Sequence, residues 1–438
     1  MMNDRIERMV IKFRDVLAET ERLPPDKLRA YQETLLAPLI RHAQRNVSFY
    51  QSRLAPLFRG AELDLSRWDE VAILTRAEAQ RSTQALTARI VPPDAGAVDS
   101  GETSGSTGRP LRYLVNQLAN VATLGATDRA LRWWEFDGAK TMATFVARKR
   151  DSAAITDETT VAGWRVGFSG LHHMIPISPD NDKQIDRLIE LRAHYLTGQS
   201  FILLGLAERV RERGINLRFE RINSTSTALS DEIRNICKEV LGARPIDQYG
   251  ARETGLIACE CPWCGHYHVN AETMLVEILD AEGRPCAPGE TGRVVLTSLY
   301  NYAMPFIRYD IGDLAVAGPR RVKCPVKLPA LTRIMGRYRN SFTLHDGRVI
   351  FPLVPVARLR EFISFEQFQV VQTDYDAIEV RYVPLDPSRS ADAVGLEACV
   401  RELIDASFNV RAVAVDEIPR SASGKFEDYL SLVPRQRN

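Results

Sequence analysis

DSGETSGSTGRPLRYLVN, residues 99–116, sets Gly101, Gly105 and Gly108 among Thr103, Ser104, Ser106 and Thr107 and closes on Arg109 and Pro110. Glycines without a Cβ let backbone N–H groups approach an anion closely, hydroxyls add donors and Arg109 adds charge, so a polyphosphate is the natural guest. Read alone, the same run also describes a surface loop. It is not a Walker A sequence, which needs Gly-Lys-Ser/Thr opening a helix. Here Pro110 leads into Leu111, Tyr113 and Val115 at strand spacing. The rest of the chain decides between the two readings.

On the N-terminal side, residues 4–50 carry helical periodicity, with Leu28, Tyr31, Leu35, Leu39 and Ile40 on one face. On the C-terminal side, helices and strands alternate. Residues 117–134 read as helix, 142–147 as a buried strand, 182–195 as helix and 200–204 as strand. Then come helix at 206–213, strand at 217–222, helix at 230–241 and strand at 245–248. This alternation predicts an α/β layered architecture with a largely parallel sheet, and the fold class expected for the whole is α/β, a large multi-layer N-terminal domain with mixed sheets. Residues 273–298 read as two antiparallel strands joined through Gly283, Pro285, Pro288 and Gly289. The last hundred or so residues read as a separate, small α+β domain: a hairpin across Asp374 and Tyr375, a helix at 396–406 and a strand at 411–418. The expected division is 1–336 and 337–438.

A chain of 438 residues exceeds a single core, which fits two domains. The formal net charge of +1 argues against a dedicated nucleic-acid or membrane-surface partner. The first residues show no signal-peptide pattern and no apolar run approaches spanning length. Seven cysteines, an odd number clustered mainly around one segment, fit a reducing cytoplasm better than a disulfide scaffold.

Further segments carry chemistry. QYGARETG, residues 248–255, follows a strand end and offers Tyr249 to stack on a base and Glu253 to hold a metal beside phosphates. Alone it would read as a turn with a buried tyrosine. RYDIGD, residues 308–313, puts Asp310 and Asp313 where a carboxylate can accept both ribose hydroxyls. PRSASGK, residues 419–425, presents Lys425 on a small-residue loop as a point charge able to meet a carboxylate and a phosphate together.

Taken in order, TSGSTGRP, YG..E, NYAMPFIRYDIGD, LPALTRIMGR and PRSASGK make the chain resemble the adenylate-forming superfamily, more narrowly its phenylacetate:CoA ligase branch. RNVSFYQSRL near the N-terminus is similar to that branch's opening helices, so the likeness spans nearly the whole chain. It implies an N-terminal domain with ATP and acid sites and a mobile C-terminal lid. It also implies two half-reactions: a carboxylate attacks the α-phosphate of Mg-ATP, and a thiol, normally of coenzyme A, then displaces AMP. By that resemblance Thr103, Ser104, Gly105, Ser106, Thr107, Gly108 and Arg109 hold the β- and γ-phosphates. Glu253 coordinates Mg²⁺, Tyr249 stacks on adenine, Asp313 and Arg337 grip the ribose, Thr225, Ser226, Thr227, Gly250 and Arg252 complete the nucleotide-binding set, and Lys425 neutralises charge developing on the α-phosphate and carboxylate. The chain departs from the pattern at three places. Arg252 replaces the usual hydroxyl before the metal-binding Glu, Thr225-Ser226-Thr227 replaces a Gly-Ala-Glu-like adenine stretch, and Arg339-Asn340 stands where a hinge Asp is common.

Cys259, Cys261, Cys264, His266 and His268 form a second signal. The Cys-Pro-x-Cys-Gly turn converges the thiolates of Cys261 and Cys264 on one ion, and Zn²⁺ takes a tetrahedron of such ligands. Cys324 matches a cysteine of some relatives, and the fourth ligand is open between His266, Cys259 and His268. A closed site of this kind is structural. Trp164, Phe168, His172 and His173 precede the region where relatives line the acyl site, which suggests an aromatic acid. The expected cofactors are therefore ATP, Mg²⁺, coenzyme A and structural Zn²⁺, and a homodimer is left open. Two alternatives to an aryl-acid:CoA ligase stand: transfer of the acyl group to a carrier-protein thiol or an amine, and a zinc-braced nucleotide-binding protein without catalysis.

Overall fold

The computed structural model describes residues 4–103, 111–146, 158–178, 180–225, 229–337, 341–350, 352, 354, 356–385, 391–418 and 429–433. The chain divides into two compact units. The first is built on residues up to 334; the second takes residues from 335 onward together with 312–314.

The first unit opens with helices Asp4–Thr20 and Pro25–Asn46, separated where Pro24 and Pro25 interrupt the periodicity. Leu28, Leu36, Leu39, Ile40 and Ala43 form the buried stripe of the second helix. Its main element is a large mixed sheet. Strands Leu171–Pro176, Met142–Val146, Tyr195–Gln199, Arg221–Thr225 and Pro245–Ala251 lie side by side and parallel. The sheet continues antiparallel through Gly255–Glu260, Tyr267–Val269 and Ala330–Arg337. Helices Asn181–Leu191, Ser200–Glu212 and Asp231–Leu241 separate successive parallel strands, as α/β connections must. Local chemistry sets their ends. Asp180 accepts from the Lys183 N–H and Ser230 from the Ile233 N–H as N-caps, and Gly242 ends the third helix at φ 85°.

The strand expected at 200–204 is helix, and the strand lies just before it, at Tyr195–Gln199. A short apolar run is ambiguous between the two states. Ile202, Leu203, Leu206, Ala207 and Val210 fall on one helical face, so burial of that whole face decides the matter.

Two larger cores and two smaller clusters fill the described part of this unit. Of the larger two, one gathers Leu188, Leu196, Leu203, Leu206 and Ile222 between the parallel strands and their helices. The other joins the N-terminal helices to the antiparallel strands through Leu36, Tyr50, Leu74, Ile257 and Phe306. The expected pair of strands at 273–298 is present as Met274–Leu279 and Thr291–Ser298, antiparallel in register from Met274↔Ser298 to Leu279↔Arg293.

The second unit contains a sheet in the order Asn409–Ala414, Ala377–Pro384, Phe365–Asp374, Tyr429–Ser431, with helix Ala393–Ile404. Val370, Val380, Leu396, Val400 and Phe408 supply its own core. Among the described residues no helix is long and apolar enough to cross a membrane.

Candidate active site and metal centre

Glu253 lies in the turn between strands Pro245–Ala251 and Gly255–Glu260 and is buried, 3% exposed. Gly255 continues the turn at φ 82°, and a Cβ there would strike the Thr123 hydroxyl, so glycine lets helix Gln117–Trp133 pack against the hairpin. The partner of Glu253 comes from far away in the chain. Strand Leu74–Thr75 pairs in parallel with the start of Tyr309–Ala317, bringing Leu74 level with Tyr309. Thr75 then caps helix Arg76–Arg81 in a reciprocal box with Glu78. Arg76 is thereby delivered beside Glu253. Its Nη1 donates to Glu253 Oε1 at 2.8 Å and to the Tyr309 hydroxyl at 3.0 Å, and its Nη2 donates to Thr103 Oγ1 at 2.8 Å. Tyr309 in turn donates to Glu253 Oε1 at 3.2 Å.

Each partner is itself held. Thr103 donates its N–H to Leu111 O and accepts the Leu111 N–H on its hydroxyl, so the two residues flanking loop 104–110 are tied together. Arg308, just before Tyr309, adopts φ 45°, unusual for a residue with a side chain. Its buried guanidinium fixes that turn by pairing with Glu277 and donating to the Asp69 and Val71 carbonyls. Burial and then the Glu253 carboxylate push the Tyr309 hydroxyl well above the ordinary tyrosine range, keeping it a neutral donor. Tyr113 lies against Gly101, where a Cβ would come within 2.5 Å of its ring, and it feels the charges of Arg252 and Glu253. Arg252 is exposed.

The parallel strands Arg221–Thr225 and Pro245–Ala251 end at this same edge, the carboxyl edge where open α/β sheets receive ligands. Asn223 Oδ1, Ser224 Oγ and Thr254 Oγ1 are buried there without a hydrogen-bond partner. Buried polar atoms are seldom left so, and a polar ligand at this edge suits them. Thr225 closes its strand, and Gly250 sits at a register shift where a Cβ would lie 2.8 Å from the Gly255 carbonyl. Tyr249 is buried on the same strand, opposite Ala258, as part of the main core. Asp313 lies half-buried on strand Tyr309–Ala317, Asp310 is buried near Arg293, and Arg337 ends strand Ala330–Arg337. Ser104, Gly105, Ser106, Thr107, Gly108, Arg109, Ser226, Thr227, Arg339 and Lys425 lie outside the described residues.

Trp164, Phe168, His172 and His173 are not at this edge. Trp164 packs with Leu131, Met142 and Tyr195, and its indole N–H donates to the Lys140 carbonyl at 2.9 Å. Phe168 meets Trp164 edge-on at 4.7 Å. Met142 and Tyr195 begin their strands, and His172 pairs with Met142, so the cluster sits at the amino edge of the parallel sheet. The opposite edge carries Glu253. His172 and His173 are bound to Thr144 and Thr160 hydroxyls, and burial lowers both their pKa values. A cavity of about 470 Å³ lined by Phe136, Phe168, Arg14 and Asp128 includes none of the Glu253 group in its lining. Trp164→Leu is therefore expected to cost about 2–3 kcal/mol by urea denaturation, with the ranking of acids in an activity screen unchanged.

Arg76 and Tyr309 escaped the sequence reading. Tyr309 stands inside the quoted RYDIGD segment, whereas nothing in the local pattern around Arg76 marks it.

A candidate metal-ligand cluster is built on the next hairpin. Cys261, Cys264, His268 and Cys324 bring their ligand atoms within 4.8 Å of one another. Cys261 Sγ lies 3.4 Å from Cys324 Sγ, and His268 Nε2 lies 3.5 Å from Cys324 Sγ and 3.6 Å from Cys264 Sγ. A tetrahedron with zinc–sulfur bonds of about 2.3 Å has edges of about 3.8 Å, so this donor set fits Zn²⁺. His268 Nδ1 lies 2.9 Å from the Leu328 carbonyl, a contact that leaves Nε2 for a metal. Burial lowers the His268 pKa, which favours the neutral ligating form.

Two of the expected ligands drop out. His266 lies in the knuckle turn with its carbonyl accepting the Cys261 N–H, and the strand Tyr267–Val269 presents His268 instead. Cys259 pairs across from His268 but takes a contact from Asn270 Nδ2 at 3.7 Å and stays out of the cluster, its thiol pushed up to about 11 by burial.

No family profile matches the chain. It is 26% identical to the phenylacetate-coenzyme A ligase of Thermus thermophilus over 420 residues, covering 90% of this chain and 89% of that protein. It is 24% identical to the phenylacetate-coenzyme A ligase of Pseudomonas putida over 398 residues, covering 84% of each. Its fold is similar to that of 2-hydroxyisobutyryl-CoA ligase, solved in the postadenylation state with 2-HIB-AMP, at a TM-score of 0.73 and 17% identity, covering 95% of this chain and 92% of that one. In sequence the chain is thus similar to the phenylacetate-coenzyme A ligases, and its fold is that of an acyl-CoA ligase solved with an acyl-adenylate.

Proposed function

We propose that the protein activates a carboxylic acid with Mg-ATP and joins it to coenzyme A. The acid's oxygen attacks the α-phosphorus and pyrophosphate leaves with the electron pair of the broken P–O bond. The thiol sulfur of coenzyme A then attacks the acyl carbon and AMP leaves. The observation that carries this reading is the buried Glu253, gathered with Arg76, Tyr309 and Thr103 at the carboxyl edge of the parallel strands. In-line transfer of this kind asks the protein for positioning and charge more than for covalent help.

In this reading the loop 103–109 cradles the β- and γ-phosphates and Glu253 receives the Mg²⁺ that arrives with the nucleotide. Thr225, Ser226, Thr227, Tyr249 and Gly250 face the base, and Asp313 and Arg337 take the ribose. The roles divide between residues 1–336, with the ATP and acid sites, and a lid of residues 337–438 carrying Lys425. The acid enters at the carboxyl edge, away from Trp164. The names of the sequence relatives favour an aromatic acid, and the Cys261–Cys264–His268–Cys324 cluster holds a structural Zn²⁺. Reduced thiols throughout the described residues suit the cytoplasm.

Acid-dependent pyrophosphate release, screened over aryl and alkyl acids with and without coenzyme A, tests the proposal. Release with an aryl acid and thioester formation only with coenzyme A are expected. Release that is never followed by thioester would point to a carrier-protein thiol or an amine as acceptor, and no release with any acid would overturn the reading.

A further inference from the structure

Resting on the reading of Glu253 as the metal-binding carboxylate, we infer that Arg76 is its counter-ion in the empty site and changes partner when Mg-ATP binds. Three observations point there. Arg76 is mostly buried, with its side chain 15% exposed, against 3% for that of Glu253. A single oxygen, Glu253 Oε1, accepts from both Arg76 and Tyr309. The other arm of the same guanidinium already donates to Thr103, the residue that opens the phosphate loop.

A buried carboxylate is costly without a cation beside it. Arg76 supplies that cation while the site is empty, and by occupying Oε1 it keeps a free divalent ion from taking the carboxylate. Mg²⁺ requires a short, direct bond to oxygen. It can gain Glu253 only if Arg76 gains another anion at the same moment. The triphosphate is that anion: the planar fork of arginine, tethered at Thr103, matches phosphate oxygens. Metal and nucleotide thus enter as one complex, because each provides what the other displaces.

The test uses the zinc-replete full chain and Mn²⁺ as the probe, an oxygen-seeking ion read by electron paramagnetic resonance that does not compete for a thiolate site. Wild-type protein is expected to ignore Mn²⁺ in the absence of nucleotide. Arg76→Gln is expected to bind free Mn²⁺ on the order of tenfold more tightly and Mn-ATP on the order of tenfold more weakly. The opposite signs separate this role from simple loss of structure, which would weaken both. Arg76→Lys keeps the charge without the fork, so it should still exclude free Mn²⁺ while binding Mn-ATP several-fold more weakly. If Arg76→Gln does not fold, the lysine variant decides, and unchanged Mn-ATP affinity in it overturns the inference. Free Mn²⁺ bound equally by wild type and Arg76→Gln also overturns it. Glu253→Gln, measured alongside, separates the two levels: if it leaves Mn-ATP binding untouched, the assignment of the metal to Glu253 fails. If it abolishes metal-dependent binding while Arg76→Gln matches wild type, only the exchange of partners fails.

Discussion

Lys425→Ala is expected to slow acid-dependent pyrophosphate release by about 10²–10³-fold, the scale on which loss of one positioned donor to a developing charge is felt. The attack brings a carboxylate and an α-phosphate, both anionic, into a crowded pentavalent arrangement whose negative charge a cation must meet. A single ammonium on a flexible stem, carried by the small-residue loop PRSASGK, can meet both groups at once. Arginine could not replace it freely, because its planar fork needs more room and a fixed approach. The unfolding midpoint of the variant should match wild type, which distinguishes loss of charge from loss of fold. Pyrophosphate release at the wild-type rate would refute the role.

Stripping the proposed zinc is expected to have the next largest effect. Structural zinc contributes its binding free energy to folding, and loss of one ligand from a closed site should cost on the order of 5 kcal/mol. Cys324→Ser should therefore lower the zinc content of purified protein and move the urea midpoint sharply, whereas Cys259→Ser should do neither. Burial raises the thiol pKa values of Cys261 and Cys264, so both are protonated at neutral pH in the metal-free chain. Zinc must displace those protons, and its affinity is expected to fall as pH falls. The damage should extend to catalysis, because strand Gly255–Glu260 runs directly from the Glu253 turn to Cys261. Wild-type protein purified without zinc yet unfolding at the same urea concentration would exclude the brace.

Much of the layout is legible in the chain because local signals and burial agree. Helix Asp231–Leu241 announces itself by the Ser230 cap, its apolar face and Gly242, and it folds between those marks. The run after Gln199 is illegible for the opposite reason, since four consecutive apolar residues satisfy either period and only packing chooses. The pair Cys261 and Cys264 is local and therefore readable. The choice of His268 over His266 depends on how strand Tyr267–Val269 registers against its neighbours, which no spacing rule contains. Arg76 is the extreme case, because its meeting with Thr103, Glu253 and Tyr309 depends on a two-residue strand, Leu74–Thr75, finding a distant partner. The role of Trp164 and Phe168 is not legible, because aromatic side chains serve a core and a ligand pocket equally well; the structure sets them at the amino edge of the parallel strands.

The long interval between Cys264 and Cys324 bears on how the protein is made. A ribosome delivers Cys261, Cys264 and His268 well before the last thiol emerges, so an early ion would meet an open, three-cornered nest able to exchange it. With zinc bound as proposed, permanent capture would await Cys324, by which time the parallel strands and the Glu253 turn would already have left the exit tunnel. Cells starved of zinc would then accumulate chains that are fully translated but still unlatched at this corner, and proteases would find them there first.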